Sequence, residues 1–263
     1  MDSELTSNPE LVEDYPRRGD SPYVLRMAST AREVEAAQRL RFLVFAEEMG
    51  ANLRGAHRGL DADAFDEHCD HLLVCVRDTD QVVGTYRILN PTGARNAGGL
   101  YSATEFDLRN LAHLANRTVE MGRAAVHPDH RDGAVISLLW AGLLHYVLAR
   151  GLEYMIGCAS VSVTCGWRRA VDILRLVARN HLGPSEYRVF PFRPFPLDAD
   201  WPEERVALPP LIKGYLRLGA FACGHAGWDP EFGTADLLVM LPLAAMNARY
   251  VNGLLRRVPK GFG

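Results

Sequence analysis

Cysteine is scarce in this sequence, and its few copies form no metal-binding or redox motif. Five cysteines are spread over 263 residues, and no two of them are arranged as Cys-x-x-Cys. An odd number of scattered cysteines without a secretory signal is typical of reduced thiols in a cytoplasm. We therefore expect no disulfide framework, no zinc or other metal site, and a cytoplasmic location.

Long apolar runs and a strong net charge are also lacking. The longest apolar stretch, residues 134–149, contains Ser137 and His145 and falls short of the ~20 residues that span a bilayer. The first residues, Met1 to Glu4, lack the basic-then-apolar pattern of a signal peptide. A net charge of −3 gives no global field that favours nucleic acid. With a hydrophobic fraction of 48%, the chain is expected to be a soluble or peripheral globular protein with no nucleic-acid partner.

The order of patterns along the chain indicates a mixed fold. Residues 1–21 are polar and predict a mobile tail, and residues 22–263 are predicted to form a single domain. The capping boxes Thr30-x-x-Glu33 and Ser102-x-x-Glu105 each predict a helix, the first ending at Gly50. We expect strands at residues 23–27, 72–76, 82–89, 153–160, 187–192 and 237–241, helices at 134–149, 167–180, 210–218 and 243–257, and a glycine-rich loop at 93–99. This order predicts an α/β (α+β) sheet with helices on both faces.

The stretch from Thr118 to Gly133 is predicted to be a strand and a polar turn that leads into a long helix. Gly122 interrupts the strand pattern and suggests a β-bulge. Side chains alternate along a regular strand, so Glu120 and Arg123 would point to opposite faces, whereas a bulge brings them to one face. A carboxylate, a guanidinium and unpaired backbone N–H groups suit acyl transfer, as a base for an amine and donors for an oxyanion. An ordinary Glu–Arg ion pair is the alternative, because structural ion pairs are common.

An acidic segment precedes the strand predicted at residues 72–76. It contains Asp61, Asp63, Asp66 and Asp70. Carboxylates in such a cluster are what a site for an amino or diamino substrate needs. A solvated polar loop is the alternative.

The start of the helix at residue 134 and a row of arginines are two further candidates. Gly133 lets backbone N–H groups at the helix N-terminus approach a phosphate or a pantetheine amide, unless it is only a turn before a core helix. Arg168, Arg175 and Arg179 are spaced by seven and four residues and therefore share a helix face. That face suits an acidic partner, and a solvated charge row is the alternative.

Several of these segments resemble those of known protein families. The turn Val126-His127-Pro128-x-x-Arg131-x-Gly133 resembles the loop that follows the fourth strand in the GNAT acyltransferase superfamily. His130 and Val135 occupy the outer positions of the usual acetyl-CoA loop, which disfavours ordinary acetyl-CoA use. The acyl-carrier-protein-dependent branch, which includes acyl-homoserine lactone synthases and N-acyl amino acid synthases, is more similar. Its lactone-synthase motif is matched in order by Arg41-x-x-x-Phe45, Asp63-x-x-Asp66, Arg87, Phe106 and Glu120-x-x-Arg123.

The L-ornithine Nα-acyltransferase family is closer still, over about residues 24–255. Ala51 stands where the lactone-synthase motif has a tryptophan, which disfavours lactone synthesis. The segment Val161–Gly166 departs from the family pattern, and another acceptor amino acid stays open for that reason. The resemblance is carried by Arg41–Ala51, Phe65–Leu72, Val83–Arg87, Tyr101–Phe106, Glu120–Arg123, Leu139-Trp140, Gly157–Ser160, Leu208–Leu216 and Asp229-x-x-Phe232.

The resemblance implies a GNAT-like mixed, mostly antiparallel central sheet and an N-acyltransferase. It implies transfer of a fatty acyl group, 3-hydroxyacyl above all, from acyl carrier protein to the α-amine of ornithine, which gives lyso-ornithine lipid. The phosphopantetheine thioester of the carrier is then a co-substrate, and we expect no cofactor. Because the product is an amphiphile, peripheral contact with the inner face of the cytoplasmic membrane is a further expectation, with the helix at 243–257 as its candidate.

The resemblance also implies roles for individual residues. Glu120 is expected to be the general base, with Arg123 beside it and the N–H groups of residues 123–126 holding the oxyanion. The expected substrate-binding residues are Arg41, Phe45, Asp63, Asp66, Asp70, Arg87 and Phe106, and the expected carrier- or pantetheine-binding residues are Val126, Arg131, Gly133, Arg168, Arg175 and Arg179. The alternatives are an N-acyl amino acid synthase with another acceptor, an acyl-homoserine lactone synthase, an ordinary acetyltransferase and a non-catalytic acyl-binding protein.

Overall fold

The computed structural model describes residues 21–53, 58–164, 166–197, 202, 204–259 and 262. The mobile tail predicted for residues 1–21 lies outside the described residues, apart from Ser21. In the described part, the helices are α1 Ala31–Phe42, α2 Pro91–Asn96, α3 Ala134–Ala149, α4 Trp167–Asn180, α5 Pro210–Arg217 and α6 Ala248–Leu255. The strands are β1 Tyr23–Met27, β2 Asp70–Val76, β3 Val82–Leu89, β4 Phe106–Asp107, β5 Thr118–Val126, β6 Tyr154–Ser162, β7 Phe190–Pro191, β8 Phe221–Ala222, β9 Gly227–Asp229 and β10 Thr234–Pro242.

Eight of these strands form one mixed sheet. Its order is β1-β2-β3-β5-β6-β10-β8, with β9 paired to β10, and β4 and β7 form a separate ladder. The β5–β6 pair is parallel, and the other pairs of the main sheet are antiparallel. The predicted mixed, mostly antiparallel sheet is confirmed.

Helices cover both faces of this sheet, as predicted. Side chains alternate along β2, so Leu73 packs towards Ala37 of α1, while Leu72 packs towards Leu139 and Leu143 of α3. α6 packs on the outer side of α3 through Leu254. Within the part of the chain that the structure describes, none of the helices has both the length and the apolar composition to cross a membrane.

The two central parallel strands pair over only three residues and then separate. The register of β5 with β6 runs from Thr118↔Tyr154 to Glu120↔Ile156, although both strands continue for six residues beyond this point. Gly157 lies where they separate, and a Cβ there would collide with the carbonyl oxygen of Met121. The last half of β5 therefore has one edge without a strand partner, and a cleft opens beside it.

Several predicted elements differ in the structure. The Thr30 capping box is confirmed, but α1 ends at Phe42 and continues as a π-helical segment, Leu43–Glu48. The predicted loop at 93–99 is wrong for residues 93–96, because they belong to α2, which the side chain of Asn90 caps. The second capping box is wrong, since Tyr101–Thr104 is a 3-10 turn without a side-chain cap.

Candidate active site

A β-bulge shapes β5 at the point where the cleft opens. Thr85 pairs with Ala125 and Arg87 pairs with Gly122, so β5 has one residue more than β3 in this interval. Arg123 has a left-handed backbone conformation, with φ of 51°. The extra residue brings Arg123 to the same face as Glu120, as the sequence predicted. The bulge itself follows Gly122, and Arg123 rather than the glycine has the positive φ.

The carboxylate of Glu120 is held by backbone N–H groups and not by Arg123. Its Oε2 accepts from the amide of Tyr101 at 2.5 Å, and its Oε1 accepts from the amide of Ser102 at 2.8 Å. The residue is 5% exposed. Burial raises the pKa of Glu120, while these hydrogen bonds oppose the rise. The alternative of a plain Glu120–Arg123 ion pair is not what the structure contains.

Arg41 lies at the centre of a buried ion cluster beneath the cleft. Its Nε donates to Asp61 at 2.8 Å, and its two terminal nitrogens donate to Asp66 at 2.8 and 3.0 Å. The main-chain oxygen of Asp61 accepts a further hydrogen bond from it. Burial opposes ionisation of Asp66, but the hydrogen bonds and charge of Arg41 hold the pKa of Asp66 well below its usual range. Such a fully paired cluster fixes the loop before β2 against the helix.

Two further arginines connect this cluster to the cleft. Arg87 donates to Asp63 at 2.6 Å. Arg123 lies 3.4 Å from both Asp61 and Asp63, and its guanidinium is stacked between the rings of Tyr101 and Phe232. The rings of Tyr101 and Phe232 and the carboxylates of Asp61 and Asp63 orient Arg123 towards the space between β5 and β6.

A cavity of about 620 Å³ fills the cleft. Glu120, Arg123 and the backbone of residues 122–126 line one wall. Apolar side chains line much of the rest, including Ile136, Trp140 and Leu211. The volume and the apolar surface are in the range of small-molecule sites.

The cavity brings together about half of the residues predicted from the sequence. Asp70 lies on the opposite face of the sheet, where it accepts from Tyr146 at 2.5 Å and from Asn90 at 3.1 Å. Phe106 is buried in an apolar cluster with Leu111. The predicted residues that line the cavity are Phe45, Arg87, Glu120, Arg123, Val126, Arg131 and Gly133; those not among its described lining are Arg41, Asp63, Asp66, Asp70, Phe106, Arg168, Arg175 and Arg179. The roles expected for these residues stay predictions.

The residues predicted to bind the acyl carrier or its pantetheine lie at the start of α3 and on α4. Gly133 has a φ of 92°, and the adjacent Asp132 accepts from the first amide of α3 at 2.9 Å. Arg131 forms two 2.6 Å contacts with Glu48. On α4, Arg168 lies 2.9 Å from Glu204.

Three cavity-lining carboxylates were not predicted as site residues. Glu105, Asp229 and Asp236 have oxygens that all lie within 4.8 Å of one another, and all three residues line the cavity. Glu105 follows the 3-10 turn, Asp229 ends β9 and Asp236 lies inside β10. Glu105 and Asp229 fall in segments that carry the family resemblance, but no local pattern groups the three residues. The sequence pattern around Glu105 predicts a capping box instead.

Comparisons with known proteins give a consistent picture. A model of the acetyltransferase (GNAT) domain matches residues 40–141. An L-ornithine N(alpha)-acyltransferase of Rhizobium meliloti (strain 1021) is 37% identical over 246 residues, which cover 86% of this chain and 82% of that protein. Another, from Agrobacterium fabrum (strain C58), is 38% identical over 244 residues, covering 86% and 83%. The solved structure of a CoA-dependent acyl-homoserine lactone synthase, BjaI, with SAM and isopentyl-CoA has a TM-score of 0.54 at 16% identity over 92% of each chain. The predicted GNAT-like fold is thereby confirmed.

Proposed function

The chain belongs to the L-ornithine Nα-acyltransferase family, and on that basis we propose that it acylates the α-amine of L-ornithine to give lyso-ornithine lipid. The observation that carries this proposal is the 37–38% identity to curated ornithine acyltransferases over 86% of the chain. The acyl group is a fatty acyl chain, with a 3-hydroxyacyl chain as the favoured form. Its donor is the thioester of acyl carrier protein.

Glu120 is the proposed general base. Its carboxylate lines the cavity, and burial raises the pKa of Glu120, which moves it towards that of a base working near neutral pH. The two amides of Tyr101 and Ser102 hold the carboxylate in place. It removes a proton from the acceptor ammonium directly or through one water, and the freed amine attacks the thioester carbonyl.

The oxyanion is held by backbone N–H groups of β5. In an antiparallel pair, alternate N–H groups point away from the partner strand, and β6 has already separated from β5 beyond Glu120. Residues 123–126 line the cavity, so those of their N–H groups that point away from β3 are the proposed donors to the thioester oxygen. Donors of this kind stabilise the charge that develops as the thioester becomes tetrahedral. The thiolate of the carrier is the leaving group.

Arg123 or Arg87 binds the carboxylate of the acceptor. Both guanidinium groups line the cavity, and a planar fork matches a carboxylate. The contacts of Arg123 to Asp61 and Asp63 are long, at 3.4 Å each, so a substrate carboxylate can add closer bonds. Asp63 and Asp66 support this arrangement by holding the arginines Arg87 and Arg41.

The carrier protein docks beside the start of α3 and along α4. Arg131 and Gly133 line the cavity at the start of α3, and Arg168, Arg175 and Arg179 lie on α4, which packs against β6. Carrier proteins are acidic, so these arginines form the complementary surface. The reversal Arg179→Glu is expected to raise KM for acyl carrier protein several-fold and to leave KM for ornithine unchanged. An unaltered KM for the carrier would remove α4 from the docking surface.

The proposed function is tested with the purified chain, 3-hydroxyacyl carrier protein and a mixture of ornithine with the twenty amino acids. Mass spectrometry is expected to show an N-acylated ornithine as the main product. If another amino acid were acylated instead, that amino acid would be the acceptor. Formation of methylthioadenosine from S-adenosylmethionine would indicate a lactone synthase. If neither carrier nor CoA thioesters gave an acylated product, the chain would be a non-catalytic acyl-binding protein.

Glu120→Gln tests the base. It is expected to lower kcat by about 100-fold or more, in the range that general bases contribute. Near-normal turnover of Glu120→Gln would show that another group removes the proton.

A further inference from the structure

Glu105, Asp229 and Asp236 form a compact acidic pocket in the wall of the cavity. Their carboxylate oxygens lie within 4.8 Å of one another. Asp236 pairs with Ser160 across the β10–β6 ladder, so both side chains point to the same face of the sheet. Glu105 follows the turn whose amides hold Glu120. The acidic pocket and the proposed base therefore belong to one cavity.

Asp236 is a buried carboxylate without a cation of its own. It is 3% exposed, and it accepts hydrogen bonds from the hydroxyl of Thr234 at 2.9 Å and from the side chain of Ser160. No ion pair to any of the three carboxylates is found among the described residues. The positive charge of Arg123 lowers the pKa of Glu105 and of Asp236, but the ion pairs of Arg123 are with Asp61 and Asp63. Neutral hydrogen-bond donors do not cancel a buried negative charge, so this side chain indicates a cation that binds from the cavity.

The other two carboxylates also keep free acceptor capacity. Asp229 accepts from the backbone amides of Glu231 at 2.8 Å and Phe232 at 3.2 Å, which hold only one of its oxygens. Glu105 receives a weak contact from the thiol of Cys158 at 3.7 Å. Burial and the negative charges of Asp236 and Asp229 raise the pKa of Glu105, and burial raises the pKa of Asp236. A bound cation would relieve this repulsion.

We propose that Glu105, Asp229 and Asp236 bind the side-chain ammonium of the acceptor and thereby select a dibasic amino acid. This inference rests on the proposed function, because it assumes that ornithine is the acceptor. An ammonium group carries three N–H donors, which matches three converging carboxylates. With the side-chain ammonium held here, the α-amine is left for Glu120. The geometry also answers a difficulty in the sequence-based assignment, since Asp63 and Asp66 are already bound to arginines.

The test compares ornithine with norvaline, which has the same carbon chain and lacks the side-chain amine. Asp236→Asn and Glu105→Gln are the variants, and Glu35→Gln, at an exposed position of α1, is the matched control. Each variant is expected to lower kcat/KM for ornithine by about 10- to 100-fold, the effect of one lost charge-assisted hydrogen bond. The rate with norvaline should change by less than about threefold, which a general folding defect would not allow.

Each outcome decides a separate point. Equal losses with ornithine and norvaline, or an unchanged rate with ornithine, would overturn the acidic pocket as the specificity determinant. A requirement for a divalent cation, removed by a chelator and restored by magnesium or manganese, would assign the carboxylates to a metal instead. Failure of the unaltered chain to acylate ornithine would refute the proposed function itself. If one variant does not fold, as judged by circular dichroism, the other still decides the comparison.

Discussion

Replacing Arg41 by methionine tests whether the buried ion cluster holds the site together. Arg41 is 0% exposed and donates to the carboxylates of Asp61 and Asp66. Without it, the nearest remaining cations are Arg123, 3.4 Å from Asp61, and Arg87, 3.5 Å from Asp66. Removing one partner from a buried pair costs about 3–5 kcal/mol, because the other charge stays buried. For a chain of this size, that loss corresponds to a Tm lower by about 6–20 °C.

The assay is urea and thermal unfolding followed by circular dichroism, with Arg39→Met as the control. Arg39 lies two residues earlier on the same helix, is 58% exposed and pairs with Glu35 at i,i+4. Loss of such an exposed pair is expected to cost less than about 0.5 kcal/mol. If Arg41→Met destabilised the protein no more than Arg39→Met does, the argument that this cluster organises the loop before β2 would fail.

The dependence of folding stability on pH tests the same ion cluster a second time. The pKa of Asp66 is lowered in the folded protein, with Arg41 as the cause that overcomes burial. A carboxyl with a lowered folded pKa contributes stability above its unfolded pKa of about 4, and this contribution is lost as the pH falls below that value. Arg41→Met should therefore lose less stability than the unaltered chain between neutral and acidic pH.

Three further predictions concern the cleft. Gly157→Ala should destabilise the protein by about 1–3 kcal/mol in urea unfolding, because the new methyl group collides with β5. In the control Gly122→Ala, the methyl group meets open space, so the loss of stability should be less than about 1 kcal/mol. Equal losses for the two variants would contradict the close approach of the strands. Gly214→Ala pushes on the ring of Trp140, which lines the cavity, and should lower kcat/KM for long acyl chains more than for short ones in a chain-length series. Since the pKa of Glu105 is raised to about 8, ornithine binding measured by calorimetry should tighten as the pH rises through about 8, and a pH-independent Kd would argue against this carboxylate as a ligand.

The organisation around β5 and α3 could be predicted because its signals are local. The glycine inside a strand pattern indicated the bulge, and the apolar run from Ala134 to Ala149 gave the bounds of α3 that the structure has. The bulge then placed Glu120 and Arg123 on one face by the alternation rule alone.

Other local signals were misleading because a competing contact determines the structure. The Ser102-x-x-Glu105 pattern is that of a capping box, yet the amide of Ser102, which the Glu105 side chain would accept from in such a box, donates to Glu120 of β5. The glycines at residues 93–99 indicated a loop, whereas the side chain of Asn90 and the following proline begin a helix there.

The rest of the site depends on contacts between distant parts of the chain. Asp63 and Asp66 were predicted to face an amine, but nothing in their spacing reveals that Arg87 and Arg41 bind them. The acidic pocket requires the β10–β6 register and the turn before β4, which no local pattern fixes. Sequence reasoning therefore identified the strand that brings Glu120 and Arg123 to the cavity, and it missed the three carboxylates of the acidic pocket.

The most direct test of the account is the position of the acyl group on the product. Ornithine labelled with ¹⁵N at the side-chain nitrogen is acylated by the purified chain, and fragmentation by mass spectrometry shows which nitrogen carries the acyl group. The account predicts acylation of the unlabelled α-nitrogen, because the acidic pocket holds the side-chain ammonium while Glu120 activates the other amine. Acylation of the labelled nitrogen would contradict both the proposed reaction and the orientation of the acceptor in the cavity.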